Sequence, residues 1–413
     1  MTGGIPVCCN INEFEKFAIS ALGEDVADYY QGGATSESTL NNNRKAYENL
    51  KLRPRVMRDV SNRDSSLTVL GKTYRSPVGI SPTAMQKLAH CEGEIATARA
   101  AGAMDAIMIL SLMSTVSLEE VRAHNPSTTL WMQMYIFKER DITLDMIRRA
   151  EKAGFSAIVL TMDTAVFGSR YRDIKNQFAM PPYLSLGNFR HMEQHHVDLK
   201  CLTGISDYIN TQFDDSVNWN DVSWLVKSTK LPVICKGILT GEDANLCLEV
   251  GAQGIIVSNH GGRQLDQTPA TIEALPEVVQ AVGDSIEVYI DGGIRYGTDV
   301  FKAVGLGAKY VFIGRASLWG LAHSGSNGVA KVLQILHFEF DQTLALCGCT
   351  CADDITREMI VHRTYYEDIL KKYLSSKSTR RKSAKSQSKV HLAVLRVSKS
   401  PEKHRSKTRK LRK

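Results

Sequence analysis

The chain has 413 residues, 43% hydrophobic and 23% charged, the balance of an ordinary soluble globular protein. Its net charge of +7 is uneven: Lys371–Lys413 hold 17 Lys and Arg against Glu402 alone, a local +16 that leaves the first 370 residues at −9. Met1–Asn12 lacks a basic start followed by an apolar core, and no apolar run approaches the ~20 residues of a membrane span, so an intracellular protein without a secretory peptide is expected. The nine cysteines show no zinc-like spacing. Cys347-Gly348-Cys349-Thr350-Cys351 has no histidine partners, so reduced thiols and no metal are expected.

Ile11–Gln31 reads as one or two helices ahead of the main fold, ending in Asp28-Tyr29-Tyr30-Gln31-Gly32-Gly33. Strand-length apolar runs follow at Val78–Ser81, Ala106–Ser111, Leu130–Ile136, Ala157–Asp163, Val233–Lys236, Gly254–Ser258, Val288–Asp291 and Tyr310–Gly314. Amphipathic stretches lie between them, among them Glu92–Ala101, Leu144–Ala153, Ala244–Val250 and Asp299–Val304. Gly102, Gly154, Gly251 and Gly307 stand where helix C-caps want a left-handed residue. Eight strands alternating with helices predict a (β/α)8 TIM barrel with an N-terminal helical extension. The stretch 164–218 is too long for a plain connection and is expected to form an active-site lid, mobile near Phe189–Cys201. Past about Ile360 the helical pattern fades. The barrel domain is drawn at 1–365, and 366–413 as a basic, disordered tail.

A barrel collects its reactive residues at the C-terminal ends of its strands. Here those ends read Ser81-Pro82-Thr83-Ala84, Ser111, Gln133 with Tyr135, Thr161 with Asp163, Lys236, Ser258 through His260 to Arg263, Asp291-Gly292-Gly293-Ile294-Arg295, and Gly314-Arg315. Lys236 at the end of an apolar strand suits a fixed cation beside developing negative charge. Glycines and arginines after strands seven and eight suit a phosphate site. His260 beside Arg263 suits a general base next to an anion-binding cation. Gly305-Leu306-Gly307 precedes a strand instead of following one, which argues against a nicotinamide dinucleotide.

The segment Ser258-Asn259-His260-Gly261-Gly262-Arg263-Gln264-Leu265-Asp266 resembles the signature of the FMN-dependent 2-hydroxy acid oxidases. Pro82–Gln86, Leu160–Thr164 and Asp291–Asp299 are similar to the same family, and the likeness runs from about Asn12 to about Ile360. It implies FMN across the barrel mouth, against Pro82, Thr83 and Ala84. Ser111, Gln133, Thr161, Lys236 and Ser258 would serve its ring and ribityl chain; Asp291, Gly293, Arg295, Gly314 and Arg315 would hold the ribityl hydroxyls and phosphate. It further implies His260 as base with Asp163 stabilising its imidazolium, Arg170 and Arg263 on the substrate carboxylate, and Tyr29 and Tyr135 facing the substrate.

The activity implied is oxidation of L-2-hydroxy acids to 2-oxo acids, with O2 as acceptor and hydrogen peroxide as product. Transfer of electrons to a carrier protein, as in FMN-dependent lactate dehydrogenases, is the alternative. The family likeness also implies a homotetramer and a peroxisomal setting. The chain ends Leu411-Arg412-Lys413, which matches no Ser-Lys-Leu-like signal, so the cytoplasm is the alternative. The tail is expected to add weak polyanion binding. Where glycolate-type members carry tryptophan, this chain has Met113, which widens and softens the implied side-chain pocket. Gly262 replaces a common alanine, and the basic residue often found beside Arg170 is missing.

Overall fold

The computed structural model describes residues 6–189, 211 and 213–375. The chain divides into two units, Met1–Val361 and His362–Lys413.

Three helices open the first unit: α1 (Ile11–Ala21), α2 (Glu24–Gln31) and α3 (Ser38–Asn49). The first two are the expected extension, and Asn10 caps α1 by accepting the Glu13 N–H. Helix α3 was not expected, because an Asn-rich segment has weak helix propensity. Its support is distant. Asp266 accepts the backbone N–H groups of Ser36, Ser38 and Thr39 together with the hydroxyls of Thr35 and Ser36, standing in for a local cap.

Eight parallel strands then close into a ring, as the sequence predicted: β1 (Val78–Ile80), β2 (Met108–Leu110), β3 (Leu130–Met134), β4 (Ala157–Thr161), β5 (Val233–Ile238), β6 (Gly254–Val257), β7 (Glu287–Asp291) and β8 (Tyr310–Ile313), with β8 pairing β1. Helices α4 (Gly93–Ala103), α5 (Leu118–His124), α6 (Arg140–Lys152), α7 (Tyr171–Lys175), α8 (Trp219–Lys227), α9 (Gly241–Glu249), α10 (Thr271–Val282), α11 (Gly297–Gly305) and α12 (Arg315–Cys347) fill the connections. Most strands stop one or two residues short of their apolar runs, because the polar residue at the end bonds sideways into the mouth. Strand β5 instead runs on to Ile238, through an irregularity between Lys236 and Ile238 where Gly237 takes φ 109°.

The two-residue period of a strand builds the interior in layers. Ile109, Trp131, Val159, Ile234, Ile256, Tyr289 and Phe312 pack together in one apolar cluster, with the Trp131 ring 5.6 Å from both Tyr289 and Phe312. Two residues further along each strand come Ser111, Gln133, Thr161, Lys236, Ser258, Asp291 and Gly314. The same alternation that fills the barrel therefore lines its mouth with polar groups. Gly79 is required here, since a Cβ would stand 2.7 Å from the Tyr310 ring. A hairpin, Leu67–Val69 with Lys72–Tyr74, adds Val69 and Tyr74 to the interior cluster.

Gly154, Gly251 and Gly307 take positive φ after their helices as expected, but Gly102 does not. It lies inside α4, where a Cβ would come 2.3 Å from Thr128 Oγ1; Asp105 supplies the positive φ beyond that helix. Of the lid expected over 164–218, residues 190–210 and 212, which hold nearly all of its expected mobile part, lie outside the described residues. Flanking that stretch, Phe213 pairs antiparallel with Phe137. The tail expected to be disordered from 366 begins as a helix, α13, over residues 364–375.

Candidate active site

The mouth opens into a cleft of about 1370 Å³, counted out to its solvent opening. Every predicted site residue except Asp163 and Ser258 lines it, and those two bond to the lining residues His260 and Lys236.

His260 sits just past β6 with φ 56°, followed by Gly261 at 64° and Gly262 at 73°. Three successive left-handed residues reverse the chain and present the imidazole to the cleft. The His260 N–H donates to Ser258 Oγ (3.1 Å), and Asn259 exchanges two amide hydrogen bonds with Asn43 of α3 (2.9 and 2.8 Å). His260 Nδ1 lies 2.9 Å from Asp163 Oδ1, which also accepts from Thr164 Oγ1 (3.1 Å). Gly237 makes room for this carboxylate: a Cβ there would stand 2.8 Å from Asp163 Cβ and Cγ. Burial alone would raise the Asp163 pKa. The charge and hydrogen bond of His260, then Lys236 and Thr164, outweigh it and hold the carboxyl below its ordinary value. An ionised Asp163 keeps the proton on Nδ1, leaving Nε2 as the acceptor.

Two arginines face this pair. Arg263 donates to the carbonyls of Tyr29 (2.6 Å) and Gly32 (3.0 Å) and stacks 5.0 Å over the Tyr29 ring. Burial, then the charge of Arg170, lowers its pKa to about 10. Arg170 is buried, with Nε 2.7 Å from Asp173 Oδ2 and its guanidinium 5.6 Å over Phe167. Burial, then the Asp163 charge, pushes the Tyr135 hydroxyl well above its usual value, so it stays a neutral donor. Met113 is buried against the same space, and its N–H donates to Ser111 Oγ (3.1 Å).

Across the floor, Gln133 links three strands. Its Oε1 accepts from Leu112 N (3.0 Å), and its Nε2 donates to Thr161 Oγ1 (3.1 Å). Lys236, buried, donates to Ser258 Oγ (2.9 Å) and lies 3.4 Å from Asp291 Oδ2, which also accepts from Ser81 Oγ (2.9 Å).

The far end is cationic. Arg295 and Arg44 both reach Glu15 Oε1, at 3.2 and 2.5 Å, while Arg295 Nε is buried without a partner. Burial lowers the Arg295 pKa to about 10, although Glu15 pulls the other way. Helix α12 starts here from Gly314 with no side-chain cap. An orphaned buried donor, a cluster of guanidinium groups and an uncapped helix start together fit a phosphate. Arg315 lines the cleft as well and donates to Tyr30 O (2.8 Å), Gly261 O (3.0 Å) and Gly32 O (2.9 Å), three of its five N–H groups meeting backbone carbonyls. Burial, then its arginine neighbours, drives its pKa well down.

Residues 18–362 match the family model described as FMN-dependent dehydrogenase. The chain belongs to that family. Glycolate oxidase from Spinacia oleracea is 49% identical over 351 residues, 85% of this chain and 95% of that protein. Glycolate oxidase 3 from Arabidopsis thaliana matches to the same extent. Among solved structures, mandelate oxidase superposes with a TM-score of 0.79 at 37% identity, covering 85% of this chain and 98% of that one. The FMN of this family suits the cleft on the grounds just given, since a phosphate there would satisfy the unpaired Arg295 donor. Sequence reasoning missed Tyr30, Asn43, Arg44 and Phe167, which also line the cleft. Asn43 and Arg44 lie on α3 and carry no motif; Phe167 stood in plain view between Asp163 and Arg170.

Proposed function

We infer that this chain oxidises L-2-hydroxy acids to 2-oxo acids with FMN as its cofactor, and that O2 is the final acceptor and hydrogen peroxide the second product. The observation that carries this reading is the His260–Asp163 pair, 2.9 Å apart, in one cleft with the buried Arg170 and the half-buried Arg263. When bound, FMN supplies the two-electron acceptor that no side chain provides.

Pro82, Thr83 and Ala84 would support the flavin through their backbone, with Ser111, Gln133 and Thr161 on its polar edge. Asp291, Gly293, Arg295, Gly314 and the start of α12 would hold the ribityl chain and phosphate. Ser258 acts through Lys236, whose ammonium would stabilise negative charge on the ring. Arg315 holds the Tyr30–Gly32 and Gly261 backbones in place around the phosphate end.

Arg263 and Arg170 clamp the substrate carboxylate, and Tyr29 and Tyr135 orient the rest. His260 Nε2 then takes a proton from the substrate, while Asp163 stabilises the resulting imidazolium across Nδ1. Met113 and Phe167 form an apolar wall that favours medium-chain, branched or aromatic side chains over the bare glycolate methylene. The basic tail adds weak, salt-sensitive attraction to polyanions. A homotetramer in the peroxisome is the assembly and setting proposed from the family likeness.

Purified protein should be yellow and release FMN on denaturation. Anaerobic addition of an L-2-hydroxy acid should bleach it, and oxygen should restore the colour with one hydrogen peroxide per 2-oxo acid. A colourless preparation that takes up no added FMN overturns the reading.

A further inference from the structure

Helix α13 places Tyr366, Ile369, Leu370, Tyr373 and Leu374 at the i, i+3, i+4, i+7, i+8 spacing of a single face. Turned at 100° per residue they fall within an arc of roughly 140°; Tyr365 lies beside its Ile369 edge, and Thr364, Glu367, Asp368, Lys371, Lys372 and Ser375 occupy the remainder. All five apolar side chains are exposed, Leu374 at 57% and even Ile369 at 45%. A contiguous apolar stripe left in water marks an interaction surface. The sequence then runs straight into the basic stretch, with Lys377, Arg380, Arg381 and Lys382 close behind.

Three occupants compete for such a stripe. A second copy of the helix would pair 12 residues, under two heptads, which is marginal in water, and would bring two +16 segments together. A nucleic acid would use the charge and leave the five apolar side chains in water. An anionic lipid surface uses both at once: the stripe enters the boundary between headgroups and acyl chains, and the basic residues meet the headgroups. Among the described residues no helix is long and apolar enough to cross a membrane, so the contact is one of lying on the surface.

We propose that α13 and the basic residues after it dock this protein onto anionic membrane surfaces, with Tyr366, Ile369, Leu370, Tyr373 and Leu374 facing the lipid. The first 370 residues carry −9 and are repelled by the same surface, so the attraction belongs to the C-terminal segment. This surface is independent of the oxidase chemistry, which serves only as a check on folding.

The test is flotation of the full chain with vesicles of phosphatidylcholine alone or with about one third phosphatidylserine. At 0.1 M salt, partition onto the anionic vesicles should exceed that onto neutral ones at least tenfold, each well-placed Lys or Arg adding roughly fivefold. Raising the salt to 0.5 M should remove most of that preference. Leu370→Gln with Leu374→Gln keeps every charge and should cut partition about tenfold or more, with flavin content, turnover and retention on heparin unchanged. The proposal is overturned by absence of a serine-lipid preference. It is equally overturned if the double variant floats like the parent, because charge alone then explains binding. A fall in molar mass of the double variant by light scattering would assign the stripe to a second copy and also overturn it.

Discussion

Replacing Asp163 by Asn removes one charge from the centre of the proposed machinery while leaving its shape. The carboxylate packs against Gly237 with no room to spare, and asparagine has nearly the same outline. What changes is the stabilisation of a positive charge on His260, 2.9 Å away. Opposite unit charges at that distance attract by about 6 kcal/mol at an effective dielectric of about 20. The amide oxygen can still accept the Nδ1–H, so roughly half of this is retained, and about 3–4 kcal/mol is lost as the proton moves. That corresponds to a fall of about 10²–10³ in the rate of flavin reduction. Anaerobic stopped-flow absorbance at saturating substrate reads this step directly. Binding of an unreactive carboxylate depends on Arg170 and Arg263 and should change less than threefold. Reduction within threefold of the parent, or a defect confined to carboxylate binding, would refute the assignment of Asp163.

Arg295→Met removes the unpaired buried donor and should weaken FMN binding about 10–100-fold, read from flavin fluorescence on dilution; unchanged affinity would remove the phosphate from that end. Met113→Trp should shift the ratio of kcat/KM between glycolate and mandelate about tenfold towards glycolate, and a constant ratio would clear Met113 of any part in specificity. Asp266→Ala should destabilise the fold by about 1–3 kcal/mol at pH 7 through loss of the surrogate cap on α3. Although partial burial favours the neutral form, the Ser36 and Thr35 hydroxyls and the Thr39 N–H hold this carboxyl well below its ordinary value. A depressed folded pKa stabilises above the unfolded value near 3.9 and ceases to do so as pH falls towards the folded one. The difference in melting temperature between parent and variant should therefore shrink below about pH 4, and a constant difference down to pH 2 would contradict the sign.

Most of the site was legible because a barrel strand writes it in period two. Once Val159 is known to point inward, Thr161 must do so as well, and the same step takes Ile234 to Lys236 and Tyr289 to Asp291. What escaped was support that acts at long range. The cap of α3 comes from Asp266, more than 200 residues downstream, and its register is held by the Asn43–Asn259 amide pair. Neither leaves a local pattern in an Asn-rich stretch. Gly102 was misread for the complementary reason: a glycine near a helix end suggests a cap, but here it makes space for Thr128. Arg315 is expected at the phosphate because a Gly-Arg at a strand end carries charge to the right place, and its carbonyl bonds come in addition to that expectation. Which of its donors were already engaged with carbonyls could be learned only from the folded chain.

Those three carbonyls give Arg315 a second consequence. Two belong to the segment that carries Tyr29 and Tyr30, and the third to the turn that carries His260. One planar group thus rivets the N-terminal arm to the hinge of the base, at the foot of the cofactor cradle. Neither part can swing without dragging the other, so in the proposed enzyme a loss of grip at the phosphate end would be felt as misalignment at the reacting carbon. The arm is therefore a working wall of the proposed reaction chamber, held in place from the floor on which the flavin would stand.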